Sequence, residues 1–189
     1  MNNEQSQQKQ ISGNRPVNKS PFKIILFVGA IIIVFSLGFV GLRYAVTKSA
    51  VRENKLELYM NRMHCKGIVV NNLFTCKVED MEFDYNNLAI DVAFYNVHHE
   101  GEYLTVEILE EELNNFIAGN KDYKYLDEFC QYGNGDEEPD GSLLAAHDKY
   151  VYDVGGYLID EYNVYVNEAT TSQLQEAINA VNNGWTVRR

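Results

Sequence analysis

The most patterned chemistry in this sequence is an acidic stretch. Asp136, Glu138, Asp140, Gly141 and Ser142 fall at positions 1, 3, 5, 6 and 7 of a calcium-binding loop, and Leu143 supplies its apolar position 8. Oxygen donors at that spacing suit a hard cation. Pro139 breaks the pattern, and His147 stands where a bidentate Glu is needed. The expected metal set is therefore a weak one, Asp136, Glu138, Asp140 and Ser142, with calcium as the sole candidate cofactor.

Other clusters offer less. His98 and His99 are adjacent, so on a strand their imidazoles point to opposite faces and meet at one metal only across a turn. His64 next to Cys65 is a possible soft-ligand pair. Asp148, Asp153, Asp160 and Glu161 lie among tyrosines and would do acid–base work only if two of them shared a cleft. The nucleophile-elbow, zinc-protease, CxxC, dinucleotide and P-loop signatures are all missing, so no catalytic residue is named.

Cys65 and Cys76 enclose KGIVVNNLFT, where Gly67 and Asn71-Asn72 let the chain turn back. In an oxidising compartment a Cys65–Cys76 disulfide is expected, contributing about 2.5–3 kcal/mol by the loop-entropy model. Cys130 lies in LDEFCQY, where acidic neighbours keep a thiol protonated, and reads as a buried free cysteine.

Charge divides the 189 residues into zones. Residues 1–23, a basic polar tail, carry four Lys/Arg against Glu4. Residues 24–42 carry no charge. Residues 43–66 carry six Lys/Arg against Glu53 and Glu57. Residues 67–189 carry six basic and 24 acidic side chains, a net of −18. A surface that anionic repels a phosphate backbone, so nucleic acid is not an expected partner.

The uncharged stretch IILFVGAIIIVFSLGFVGL is about 28 Å long as a helix, close to the hydrocarbon thickness of a bilayer. Its bulky residues Ile24, Ile25, Leu26, Phe27, Ile31, Ile32, Ile33, Phe35, Phe39 and Leu42 would face lipid. An uncleaved signal-anchor is expected, although Ser36-Leu37-Gly38 offers a small-residue cleavage site. Lys and Arg flank both ends, so the positive-inside rule does not orient it alone. The short basic tail and the expected disulfide place the N-terminus in the cytoplasm and 67–189 in a periplasmic or extracellular space.

Around these features the pattern predicts an α+β fold. The membrane helix continues through 43–63 as a stalk with Val46, Ala50, Leu56, Tyr59, Met60 and Met63 on one stripe. Strands are expected at 74–78, 81–85 and 88–97, the last from alternating Leu88, Ile90, Val92 and Phe94, with a short one at 103–106. A helix follows over 107–118, with Leu109, Leu113, Phe116 and Ile117 on one side. Residues 119–142 read as loop. Gly155-Gly156 suggests a hairpin between strands at 149–154 and 157–160, the second extended through 163–167. A capped helix near 170–183 ends the chain, with Gly184 as its stop and Trp185 folding back on the sheet. The sheet is expected to be mostly antiparallel, with two helices beyond the anchor.

A long N-terminal helix followed by such a sheet resembles a type IV pilin or pseudopilin. Pro21 before Phe22 and Leu26 depart from that family, which has Gly and Glu there. The layout of short tail, single span and outer α+β domain also resembles assembly-scaffold subunits of type IV secretion systems. No motif carries either resemblance, and no family is assigned. The sequence therefore points to a single-pass, membrane-anchored, non-catalytic subunit of an envelope or secretion/pilus-type assembly. Its acidic, Tyr-rich outer domain would contact other membrane or envelope proteins. The alternatives are an anchored ligand- or calcium-binding sensor and an anchored carboxylate-dependent enzyme.

Overall fold

A computed structural model describes residues 21–72, 75–99, 103–132 and 142–188, with the backbone alone for 21–32. Among the described residues the fold is α+β, with six α-helices and one two-stranded antiparallel sheet. The chain divides into two units, residues 1–44 and 45–189.

Helix α1 runs Pro21–Arg62. In the second unit it buries Leu56, Tyr59, Met60 and Met63, whereas Val46 and Ala50 of the expected stripe are exposed. Strands β1 (Cys65–Asn71) and β2 (Cys76–Phe83) form a hairpin with a bulge between Lys66 and Ile68. Asn72 holds the turn: its side-chain oxygen accepts from the Thr75 amide at 2.8 Å. The sheet ends there, smaller than the sequence pattern suggests, and the expected strands at 74–78 and 81–85 are one strand.

Residues 85–98, expected to contain the clearest strand, form helix α2 (Tyr85–His98). Asp84 caps it, accepting from the Asn87 amide at 3.2 Å. The alternation has a physical origin. Leu88, Val92 and Tyr95 enter one core cluster, with Leu56, Tyr59, Leu109 and Leu113. Ile90 and Phe94 enter a second, with Tyr150, Val154, Leu158 and Ile178. Two helical stripes offset by two residues interleave into a period-two pattern.

Helix α3 (Val106–Ala118) matches expectation, capped by Thr105 and ended by Gly119 at φ 85°, a left-handed position that suits glycine. The expected short strand at 103–106 is instead the lead-in to this helix, where the Asn96 side chain clamps the Leu104 backbone with two 2.8 Å hydrogen bonds. Helix α4 (Lys124–Tyr132) occupies part of the expected loop. It starts where it does because buried Glu112 on α3 accepts from the Leu126 amide at 2.6 Å.

The expected 149–160 hairpin is helix α5 (Ser142–Tyr162). Gly155 and Gly156 lie inside it: a side chain on Gly156 would run into Val187, so this glycine serves close packing and not a turn. A 3₁₀ turn at Val166–Glu168 replaces the expected strand extension; Asn86 donates to the carbonyls of Val166 (2.6 Å) and Ala169 (3.0 Å) and ties it to α2. Helix α6 (Thr171–Asn182) opens with the capping box of Thr170 and Gln173 and buries Leu174, Ala177 and Ile178. Trp185 packs edge-on against Tyr157 of α5, ring centres 5.2 Å apart, and not on the sheet.

Candidate functional site

The hairpin register separates the two cysteines expected to pair. Cys65 lies opposite Phe83, and Cys76 lies opposite Asn71, six residues along β1. At about 3.3 Å per residue that is about 20 Å, against the 7 Å limit for Cα atoms of a disulfide. Cys65, Cys76 and Cys130 are all free and buried. Burial pushes the Cys65 thiol up to about 11 and the Cys130 thiol to about 12, so neither is a ready nucleophile.

Of the expected calcium set, Asp136, Glu138 and Asp140 lie outside the described residues, and Ser142 is the first residue of α5. Among the described residues no group of three or more His, Cys, Asp or Glu side chains could hold a metal ion. His98 and His99 end α2 and stack on rings one turn back, His98 on Phe94 at 4.1 Å and His99 on Tyr95 at 4.5 Å. The α5 carboxylates do not converge: Asp153 is buried and accepts from Lys149 and from the Val187 amide at 3.2 Å, whereas Asp160 and Glu161 are exposed.

The structure instead gathers His64, Asp91 and His147. Each arrives from a different place: His64 from the turn between α1 and β1, Asp91 from mid-α2, His147 from the second turn of α5. His64 Nε2 lies 2.9 Å from Asp91 Oδ2, and His147 Nε2 lies 2.9 Å from Asp91 Oδ1. An ionised carboxylate only accepts, so both imidazoles donate from Nε2. The His64 backbone is left-handed, at φ 47°, a position a turn histidine tolerates at some cost in strain. Its carbonyl accepts from the Asp84 amide at 2.9 Å, which fixes the turn against the start of α2.

Electrostatics follow from this geometry. The Asp91 hydrogen bond raises the pKa of each histidine against the opposing effect of burial. Burial alone would raise the Asp91 carboxyl, but the two imidazoles outweigh it and hold the group below its ordinary value. Arg62 opposes protonation of both histidines; Asp84 favours it at His64 and Asp148 at His147.

A cavity of about 60 Å³ opens beside the cluster. Among the described residues its polar wall is Arg62, Asp91 and His147, and the rest of the lining is Phe94, Tyr95, Phe129, Tyr132, Leu143 and Leu144. The Phe94 ring meets His147 edge-on at 5.0 Å. A few polar groups converge there on an aromatic wall, around room for a few water-sized groups. Spacing could not have revealed it, because the three residues are separated by 27 and 56 positions. The available signal was a lone carboxylate, Asp91, inside the apolar run Leu88–Phe94.

In unit 1 the described large apolar side chains of the expected span, including Ile33, Phe35, Phe39 and Leu42, are exposed, each more than half. The side chains of Ile24, Ile25, Leu26, Phe27, Ile31 and Ile32 lie outside the described residues. Among the described residues no helix is long and apolar enough to cross a membrane. Comparison of the chain with known protein families, curated proteins and solved structures finds no match.

Proposed function

We propose that the protein is a single-pass membrane-anchored, non-catalytic subunit of an envelope or membrane-associated assembly. One observation carries this reading. From Ile33 to Leu42 the helix leaves seven large apolar side chains more than half exposed, and the uncharged run extends back to Ile24 in the sequence. Water penalises such a surface at about 25 cal/mol per Å², and a bilayer does not. Lys and Arg flank both ends of this run, and the acidic domain follows it. Confined to the membrane plane, that domain meets its partners at raised effective concentration. Its net charge of −18 over 67–189 favours basic or polar partner surfaces. Exposed Tyr103, Tyr152 and Tyr165 offer aromatic contacts.

In-cell crosslinking of the full-length chain, detergent extraction and mass spectrometry test the assembly claim. A reproducible set of membrane components supports it. Recovery of the chain alone, at monomer size and native expression, counts against it. A second reading, an anchored small-ligand sensor, is favoured by the cavity beside the His64–Asp91–His147 cluster.

A further inference from the structure

The hairpin leaves one sheet edge open beside a helix. The His64 carbonyl accepts from the Asp84 amide at 2.9 Å, and the Asn72 amide donates to the Thr75 carbonyl at 2.9 Å, so the ladder is hydrogen-bonded at both ends. Counting inward from those pairs, antiparallel alternation turns the backbone amides and carbonyls of Cys65, Val69 and Asn71 away from β2. Cys65 and Val69 face a groove of about 470 Å³ between β1 and α1, whose opposite wall carries Glu53, Glu57 and Met60. The chain is described throughout from 53 to 69. Among the described residues no hydrogen bond reaches the outward amide and carbonyl of Val69. Asn71 closes one end of the groove, its side chain donating to the Ser49 carbonyl and to Glu53, each at 3.2 Å.

Helix α1 sorts its charges by face. Arg52 donates to the end of α3 and Lys55 pairs with Asp127 of α4 at 2.8 Å, whereas Glu53 and Glu57 line the groove and make no ion pair among the described residues. Lys66 also lines it, and stands opposite Glu82 across the ladder. The two glutamates are one helical turn apart, about 6 Å along the axis, and alternate side chains of an extended chain are about 6.6–6.8 Å apart. On the outer face of the hairpin Ile68 and Val70 are 58% and 42% exposed.

We propose that this groove adds a third strand, an extended segment of a partner subunit with Lys or Arg at alternate positions toward Glu53 and Glu57 and β-branched residues between them beside Ile68 and Val70. Charge selects this occupant, because an acidic segment would meet two carboxylates on a domain of net charge −18 over 67–189. The β1 strand of a second copy brings Lys66 as its one charge and lacks the alternation. The inference rests on the subunit reading for its partner and on the hairpin for its site.

The test titrates the isotope-labelled full chain in neutral detergent with a blocked pentapeptide, Val-Lys-Val-Lys-Val, and follows backbone amides by NMR. The same peptide with Glu for both Lys, and a copy N-methylated at every residue, are run in parallel. The Lys peptide is expected to move the Val69 amide downfield and saturably. The Glu peptide is expected to bind at least about tenfold more weakly, and the N-methylated copy about tenfold more weakly for loss of its edge hydrogen bonds. Glu57→Gln, at an exposed side chain, is expected to weaken the Lys peptide about threefold. Equal affinity for the Lys and Glu peptides would overturn the basic partner, and equal affinity for the N-methylated copy would overturn strand addition. Silence of the Val69 amide toward every peptide, in a chain with a folded spectrum, would overturn the site; the subunit reading would then stand or fall on the crosslinking above, which needs no particular site. A peptide-free dimer whose Val69 amide shifts on dilution would assign the edge to a second copy and overturn the peptide.

Discussion

Replacing the Asp91 carboxylate with a carboxamide (Asp91→Asn) is expected to destabilise the domain in acid far more than in base. The two histidine bonds to Asp91 are charge-assisted, each of a kind contributing about 1.5–3 kcal/mol. Their exposure halves that, because the His64 and His147 side chains are 35% and 30% accessible. The joint contribution is then about 1.5–3 kcal/mol. Its pH window follows from the shifts. Each histidine is raised above 6.5, so its contribution is complete below that value and is lost as pH rises through the raised one. Asp91 is lowered below 3.8, so its contribution is present above that value and is lost as pH falls through the lowered one. The cluster therefore stabilises most at about pH 5. In alkali the introduced carboxamide can accept from one neutral imidazole and donate to the other after a tautomer change, restoring both bonds. Thermal unfolding of the full chain in detergent reads the difference. At about pH 5 the midpoint is expected to drop by about 3–12 °C, and at about pH 9 by less than half as much. An equal loss at both pH values, or none at about pH 5, would refute the coupling of the two histidines to Asp91.

Arg52 donates to the carbonyls of Phe116 (3.1 Å) and Ile117 (2.7 Å) and so caps the end of α3; Arg52→Ala is expected to cost about 1–2 kcal/mol in denaturant unfolding. Thiol titration of the unreduced, denatured chain is expected to count three free thiols, and a count of one would contradict the hairpin register. In the folded chain Cys130 is expected to react with iodoacetamide only at the unfolding rate, since its thiol is buried and pushed up to about 12.

Helices with one buried face were legible in the sequence: Leu109, Leu113 and Phe116 on α3, and Leu174, Ala177 and Ile178 on α6, each with the caps their neighbours announce. Helix α2 was not, because burial on two sides writes two stripes whose sum alternates like a strand. The cap at Asp84 was the local signal that would have separated the two readings. Helix α5 was misread at Gly155-Gly156, where the glycines admit Val166 and Val187 as neighbours; Tyr150, Val154 and Leu158 kept helical spacing throughout. The expected Cys65–Cys76 bridge failed on register, since a ten-residue loop says nothing about where along two paired strands its ends fall. The calcium loop rested on local spacing, whereas the histidine–carboxylate cluster is a product of tertiary packing alone.

The membrane anchor is the claim on which the functional reading depends most. Alkaline carbonate extraction of membranes from cells expressing the full-length chain at native level tests it directly. An anchored chain is expected to stay with the membrane pellet and to be released only by detergent. Release into the carbonate supernatant, at the yield of a peripheral protein, would contradict it.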